Sequence, residues 1–107
     1  MYKIVIYVDS RGKELFSDWL IALKDKKAAY RIQSRIDQLR CGNFGDYKPV
    51  GNAVWELRID VGAGYRVYYS IVGKEVVLLL VGGNKKSQQK DIEKAIYCLL
   101  DYKRTKI

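Results

Sequence analysis

VWELRIDVGAGYRVYYSIVGKEVVLLLV, residues 54–81, holds three runs of strand-forming residues separated by glycine turns. In the first run Trp55, Leu57 and Ile59 alternate with Glu56, Arg58 and Asp60, the period-two pattern of a strand with one apolar face. After the glycine turn at 62–64, Tyr65, Val67, Tyr69 and Ile71 share one face of a second strand, and Arg66, Tyr68 and Ser70 share the other. Gly73-Lys74 then supplies glycine at the first central position of a two-residue hairpin turn. Residues 76–81 are apolar throughout, as a strand covered on both faces requires, which predicts a central place in the sheet.

Working outward, the opening YKIVIYV mixes β-branched and aromatic residues and predicts another strand, bounded by Asp9, Ser10 and Gly12. Leu15, Phe16, Trp19, Leu20 and Leu23 fall at helical spacing. Past the charged turn at 25–27, Ala29, Ile32, Ile36 and Leu39 mark the buried face of a second helix that Gly42 stops. Residues 43–52, with the only proline at Pro49, are expected to form a loop. Downstream, Ile92, Ala95, Ile96, Leu99 and Leu100 define a third helix, trailed by Lys103, Arg104 and Lys106. The order is strand, two helices, three strands, C-terminal helix. It predicts an α+β fold: a small, mostly antiparallel sheet with helices packed on one face, as one domain over residues 1–107.

The 107 residues carry twenty Lys and Arg against twelve Asp and Glu, a net charge of +8 that favours polyanions, nucleic acid first among them. Cys41 and Cys98 have no CxxC spacing and there is no histidine, so neither a zinc site nor a disulfide framework is supported, and the thiols are expected to stay reduced. No apolar run reaches the roughly 18 residues of a membrane span and the start does not read as a signal peptide, which predicts a cytoplasmic protein. Without histidine, proton transfer must use Glu, Asp, Lys or Tyr.

Two groups of polar residues carry chemistry. If the strands at 54–60 and 65–72 pair through the glycine turn, Arg58 and Arg66 reach the same sheet face with Glu56 and Tyr68 beside them. That face is either a concave polar patch or the ordinary solvent side of an antiparallel sheet. LLLVGGNKKSQQKDIEKA, residues 78–95, then runs from a strand through Gly82-Gly83 into a helix opened by Asn84, Lys85 and Lys86. Glycines admit close approach of a ligand and a helix start favours anions, so an external phosphate is expected there. On the second helix Arg31 and Arg35, one turn apart, form a basic ridge or simply a solvated face.

Taken in order, ELR, GYRVYY and the spaced set GG, Lys85, Gln88, Asp91-Ile92 and Ala95 resemble the RelE/ParE superfamily of bacterial type II toxins, in its HigB-like, addiction-module killer branch. The likeness covers nearly the whole chain. It implies a ribosome-dependent mRNA endonuclease that cleaves without metal or other cofactor, by attack of a 2′-hydroxyl on the adjacent phosphorus, and that an antitoxin, a small helix-turn-helix protein from the adjacent gene, silences. By the same resemblance Arg66 falls on the family's transition-state arginine, Arg58 on a strand lysine and Lys85 in the basic segment after the last strand. Arg66, Arg58 and Lys85 would then hold the scissile phosphate, Glu56 or Asp91 would act as base, Tyr68 would stack on or orient a nucleobase, and Lys86, Arg31 and Arg35 would bind RNA. Glu56 stands where RelE has a lysine, Asp91 lies near its tyrosine, and the histidines of some HigB toxins are missing. Asp91 also fits a plain early-helix acid. A ParE-like inhibitor of DNA gyrase, or an inert antitoxin-binding module, are the alternatives.

Overall fold

The computed structural model describes residues 1–105, so Lys106 of the expected basic end lies outside the described residues. Strands β1 (Lys3–Ile6), β2 (Tyr47–Gly51), β3 (Val54–Ile59), β4 (Tyr65–Val72) and β5 (Val76–Asn84) join helices α1 (Leu15–Ala22), α2 (Lys26–Arg40) and α3 (Gln88–Thr105). They form one sheet in the order β1-β5-β4-β3-β2, in which β1 runs parallel to β5 and the other pairs are antiparallel. The fold is small α+β, as expected from the alternation in residues 54–81.

Five features differ from the sequence-based expectation. The segment expected to be a loop contains β2, and its proline survives because β2 is an edge strand, where a missing N–H costs no ladder bond; a register shift between Pro49 and Gly51 blunts that edge further. The β4–β5 connection has three residues, pairing Val72 with Val76, with Gly73 in the left-handed region at φ 63°. Helices cover both faces of the sheet. Ala28, Ile32, Ile36 and Leu39 of α2 and Phe16 of α1 pack on Leu57, Ile59, Val67, Tyr69, Val77 and Leu79, whereas Ala95, Cys98 and Leu99 of α3 pack with Val54, Tyr68, Leu78, Leu80 and Val81 on the other side. The double coverage expected of residues 76–81 therefore extends across β4, which takes the central place while β5 lies one strand in. On α3 the buried stripe includes Cys98, and Leu100 lies outside it, 60% exposed.

A bulge in β5 sets up the site. Tyr68 faces Val81 and Tyr69 faces Leu79, leaving Leu80 as an extra residue. The inserted residue shifts the alternation, so Leu80 and Val81 both join the α3 side of the core. Gly82 then faces α1, where the Trp19 ring fills the space a Cβ would need, and Gly83 faces α3, where the Asp91 carboxylate fills it. These glycines make room for the protein's own side chains.

Candidate functional site

Register brings the charged residues together. Arg58 pairs with Arg66, and Arg66 pairs with Gly83, so two arginines and a glycine covered by Asp91 form one row across β3, β4 and β5 on the α3 side of the sheet. Two like charges directly opposite each other in a sheet repel. The adjacent row carries Glu56 and Tyr68, and Glu56 supplies the compensating charge. It is fully buried, and its carboxylate accepts from Arg58 Nε at 3.0 Å, from the Tyr68 hydroxyl at 3.0 Å and from Gln88 Nε2 at 2.8 Å. Arg66 Nε lies 3.7 Å from the same carboxylate.

Burial would raise the pKa of Glu56, but the donors Gln88, Arg58 and Tyr68 and the charge of Arg66 outweigh it and hold the carboxyl below its ordinary value. The phenol of Tyr68 is pushed up, by burial first and then by the charge of Glu56, so it stays a hydrogen-bond donor. Gln88 opens α3 and reaches down to Glu56, which ties that helix to the charged row.

Arg66 is 9% exposed, and its Nε is buried with no hydrogen-bond partner among the described residues. A buried guanidinium donor left unmatched costs free energy until something accepts from it. The side chain lines a cleft of about 280 Å³ together with Arg58, Lys85, Asp46 and Asp60. None of the cations lining this cleft forms an ion pair with Asp46 or Asp60. The opening thus carries three positive groups and two carboxylates, and guanidinium and ammonium groups are the side chains that suit a phosphate-sized anion.

Of the residues expected at a site, Arg66, Arg58 and Lys85 meet in this cleft. Glu56 lies beneath it with its lone pairs committed to three donors, which suits it to hold the arginines and not to take a proton from a ligand. Asp91 accepts from Ser87 Oγ and sits over Gly83 in the first turn of α3, the early-helix acid. Tyr68 is fully buried, so it offers no face to a nucleobase. Arg35 is not part of a free ridge: its Nη1 donates to the Arg58 carbonyl at 2.6 Å and its Nη2 to the carbonyls of Phe44 and Asp46. Burial lowers its pKa, with the nearby Asp46 acting against that. Arg31 remains exposed.

The helix start also differs from expectation. Lys85–Ser87 form a single 3-10 turn, and the Asn84 side chain accepts from the N–H groups of Lys86 and Ser87 while Ser87 Oγ accepts from Asn84 N. This reciprocal cap satisfies the donors that an external anion was expected to meet. Lys85 and Lys86 are exposed, and Lys85 alone of the two lines the cleft. Gln88, Asp46 and Asp60 were not among the residues expected at the site. Asp60 was visible as the third member of the Glu56, Arg58 alternation, whereas Asp46 lay in a segment expected to be an irregular loop.

The family model for phage derived protein Gp49-like (DUF891) matches residues 18–99, a span that contains β3, β4, β5 and the whole charged row. The chain belongs to the Gp49-like family. This is a family of RelE/ParE-like toxins associated with toxin-antitoxin systems. An uncharacterized protein of Haemophilus influenzae is 49% identical over 80 residues, 75% of this chain and 81% of its own length. Membership in the Gp49-like family implies a partnership with an antitoxin in general terms. Among the described residues no helix is long and apolar enough to cross a membrane.

Proposed function

We propose that this Gp49-like protein is the toxin of a type II toxin-antitoxin pair and acts in the cytoplasm on ribosome-bound mRNA, as an endoribonuclease of HigB-like character. The observation that carries the proposal is the buried guanidinium of Arg66, ion-paired at 3.7 Å with Glu56 but with no hydrogen-bond acceptor at its Nε, in a cleft shared with Arg58 and Lys85. In this mechanism the scissile phosphate sits in that cleft. The ribose 2′-oxygen attacks phosphorus as its proton leaves, the bond to the 5′-oxygen breaks as that oxygen takes a proton from water, and a cyclic 2′,3′-phosphate and a 5′-hydroxyl result. Arg66 and Arg58 meet the charge that develops on the phosphorane oxygens, and Lys85 neutralises the phosphate from the rim. Asp46 and Asp60 are the carboxylates on the lining, and one of them takes the 2′ proton in place of Glu56 or Asp91. Glu56, Tyr68 and Gln88 are positioning residues that fix the two arginines.

Induced expression without antitoxin should arrest growth by stopping translation, and mapping of mRNA 5′ ends should show new cuts in translated messages. Arg66→Ala should weaken cleavage about a hundredfold, roughly 3 kcal/mol of transition-state stabilisation. Arg66→Lys should rescue it poorly, because lysine offers a point charge where the guanidinium offers a planar pair of donors. A folded Arg66→Ala protein that kills at wild-type strength removes the cleft from the mechanism. Growth arrest with intact mRNA and stalled DNA replication would move the protein to gyrase inhibition. The adjacent small helix-turn-helix protein should co-purify and restore growth.

A further inference from the structure

A second cavity lies along α2. It measures about 610 Å³ and is lined by Lys26, Lys27, Tyr30 and Arg31 of α2 and by Val61, the residue after Asp60. Tyr30 is 79% exposed and has no ring partner among the described residues, unlike Tyr47, Tyr65 and Tyr69, which pack on neighbouring rings. It also borders a smaller cavity of about 110 Å³ with Gln33, Ser34 and Asp37, so the phenol stands as a fin between two open spaces. Lys26 donates to the Ile21 carbonyl at 3.3 Å, whereas Lys27 and Arg31 make no hydrogen bond or ion pair among the described residues. The neighbouring acid, Asp25, caps α2 by accepting from Ala28 N. An aromatic face flanked by uncommitted cations is the arrangement that holds a base by stacking and its phosphate by charge.

The linings of the two openings are linked at two points of the chain, although they share no residue. Asp60 and Val61 are consecutive, one lining each opening. Arg31 precedes by one turn Arg35, whose guanidinium binds the carbonyl of the cleft residue Arg58.

We propose that Tyr30, Lys27, Arg31 and Val61 form a second binding site for single-stranded RNA, which stacks one base on Tyr30 and seats the flanking phosphates on Lys27 and Arg31. This rests on RNA being the ligand of the cleft. The test is fluorescence anisotropy with a short, labelled, single-stranded 2′-O-methyl oligoribonucleotide, which lacks the attacking hydroxyl. Tyr30→Ala should weaken binding by about tenfold or more, and Tyr30→Phe should bind as wild type. The pair Lys27→Ala and Arg31→Ala should lower the salt slope of log affinity by about 1.4, while the exposed α3 pair Lys90→Ala and Lys94→Ala should leave it within half of that.

Wild-type affinity in Tyr30→Ala would overturn the proposal, as would an equal loss from the α3 pair, which would mean diffuse charge. Binding of an oligoglutamate peptide in place of the oligonucleotide would overturn it too and assign the surface to an acidic protein partner. Thermal melts of each variant separate lost binding from lost folding. If Tyr30→Ala weakens RNA binding while Arg66→Ala still arrests growth, this site stands and cleavage in the cleft falls. If Tyr30→Ala has no effect and Arg66→Ala abolishes cleavage, the reverse holds.

Discussion

Replacing Glu56 by alanine should destabilise the protein by about 3–5 kcal/mol, the range for removing one partner of a buried ion pair. The structure explains why the loss falls there. Glu56 is fully buried, and alanine strands three donors at once: the Tyr68 hydroxyl, the Gln88 amide and Arg58 Nε. It also leaves Arg66, with 10% of its side chain exposed, facing Arg58 across the β3–β4 ladder with no charge between them. Arg58, 33% exposed, recovers part of its hydration, which argues against a larger figure. Against a typical domain stability of about 5–15 kcal/mol the loss is a large fraction.

Urea unfolding at pH 7 measures it, and pH supplies an independent check. Because the folded-state pKa of Glu56 is lowered from 4.5, its contribution is fully present above pH 4.5 and fades as pH falls through the folded value. The stability gap between wild type and Glu56→Gln should therefore be full at neutral pH and close in acid. A loss below about 1 kcal/mol in Glu56→Ala, or a gap independent of pH, would refute the view that this carboxylate holds the arginine row together.

Arg35→Ala should cost about 2–4 kcal/mol in thermal or urea unfolding, since it removes three hydrogen bonds that tie α2 to the end of β3 and to the segment before β2. Gly82→Ala should destabilise by about 1–3 kcal/mol, because the new methyl must displace the Trp19 ring; a red shift in tryptophan emission would accompany the loss. Asn84→Ala should cost about 1 kcal/mol and raise amide exchange at Lys86 and Ser87, whose N–H groups lose their acceptor. Arg66→Ala, by contrast, should cost little stability for so buried a residue, since its Nε is already unmatched and Glu56 keeps three other donors; a melt close to wild type is the expected result.

The alternation of residues 54–72 was legible because a period-two pattern fixes which side chains share a face, and it placed Arg58, Arg66, Glu56 and Tyr68 together before any register was known. It could not show what lies over that face. Alternating polar residues look the same whether water or a helix covers them, and only the reach of Gln88 from α3 shows that Glu56 and Tyr68 are interior. The two glycines misled for a related reason. A missing side chain signals close approach, but the sequence does not say whether a ligand or Trp19 and Asp91 make that approach. Arg35 looked like a surface cation because its partners are backbone carbonyls, which carry no signature in the sequence. The edge strand β2 was hidden by Pro49, which marks a loop unless the strand has a free side.

The parallel pairing of β1 with β5 has a consequence for the order of assembly. Residues 3–6 are made before the rest of the sheet, yet their partners at 76–79 come some seventy residues later. The first strand must wait unpaired while α1 and α2 form. The cleft matures on the same schedule: Arg58 and Arg66 are in place once β3 and β4 pair, Lys85 arrives with the end of β5, and the clamp on Glu56 closes only when Gln88 begins α3. A nascent or prematurely ended chain that stops before residue 88 therefore carries both arginines without the geometry that aims them. Completion of the sheet and completion of the cleft are one event, set by residues 85–88.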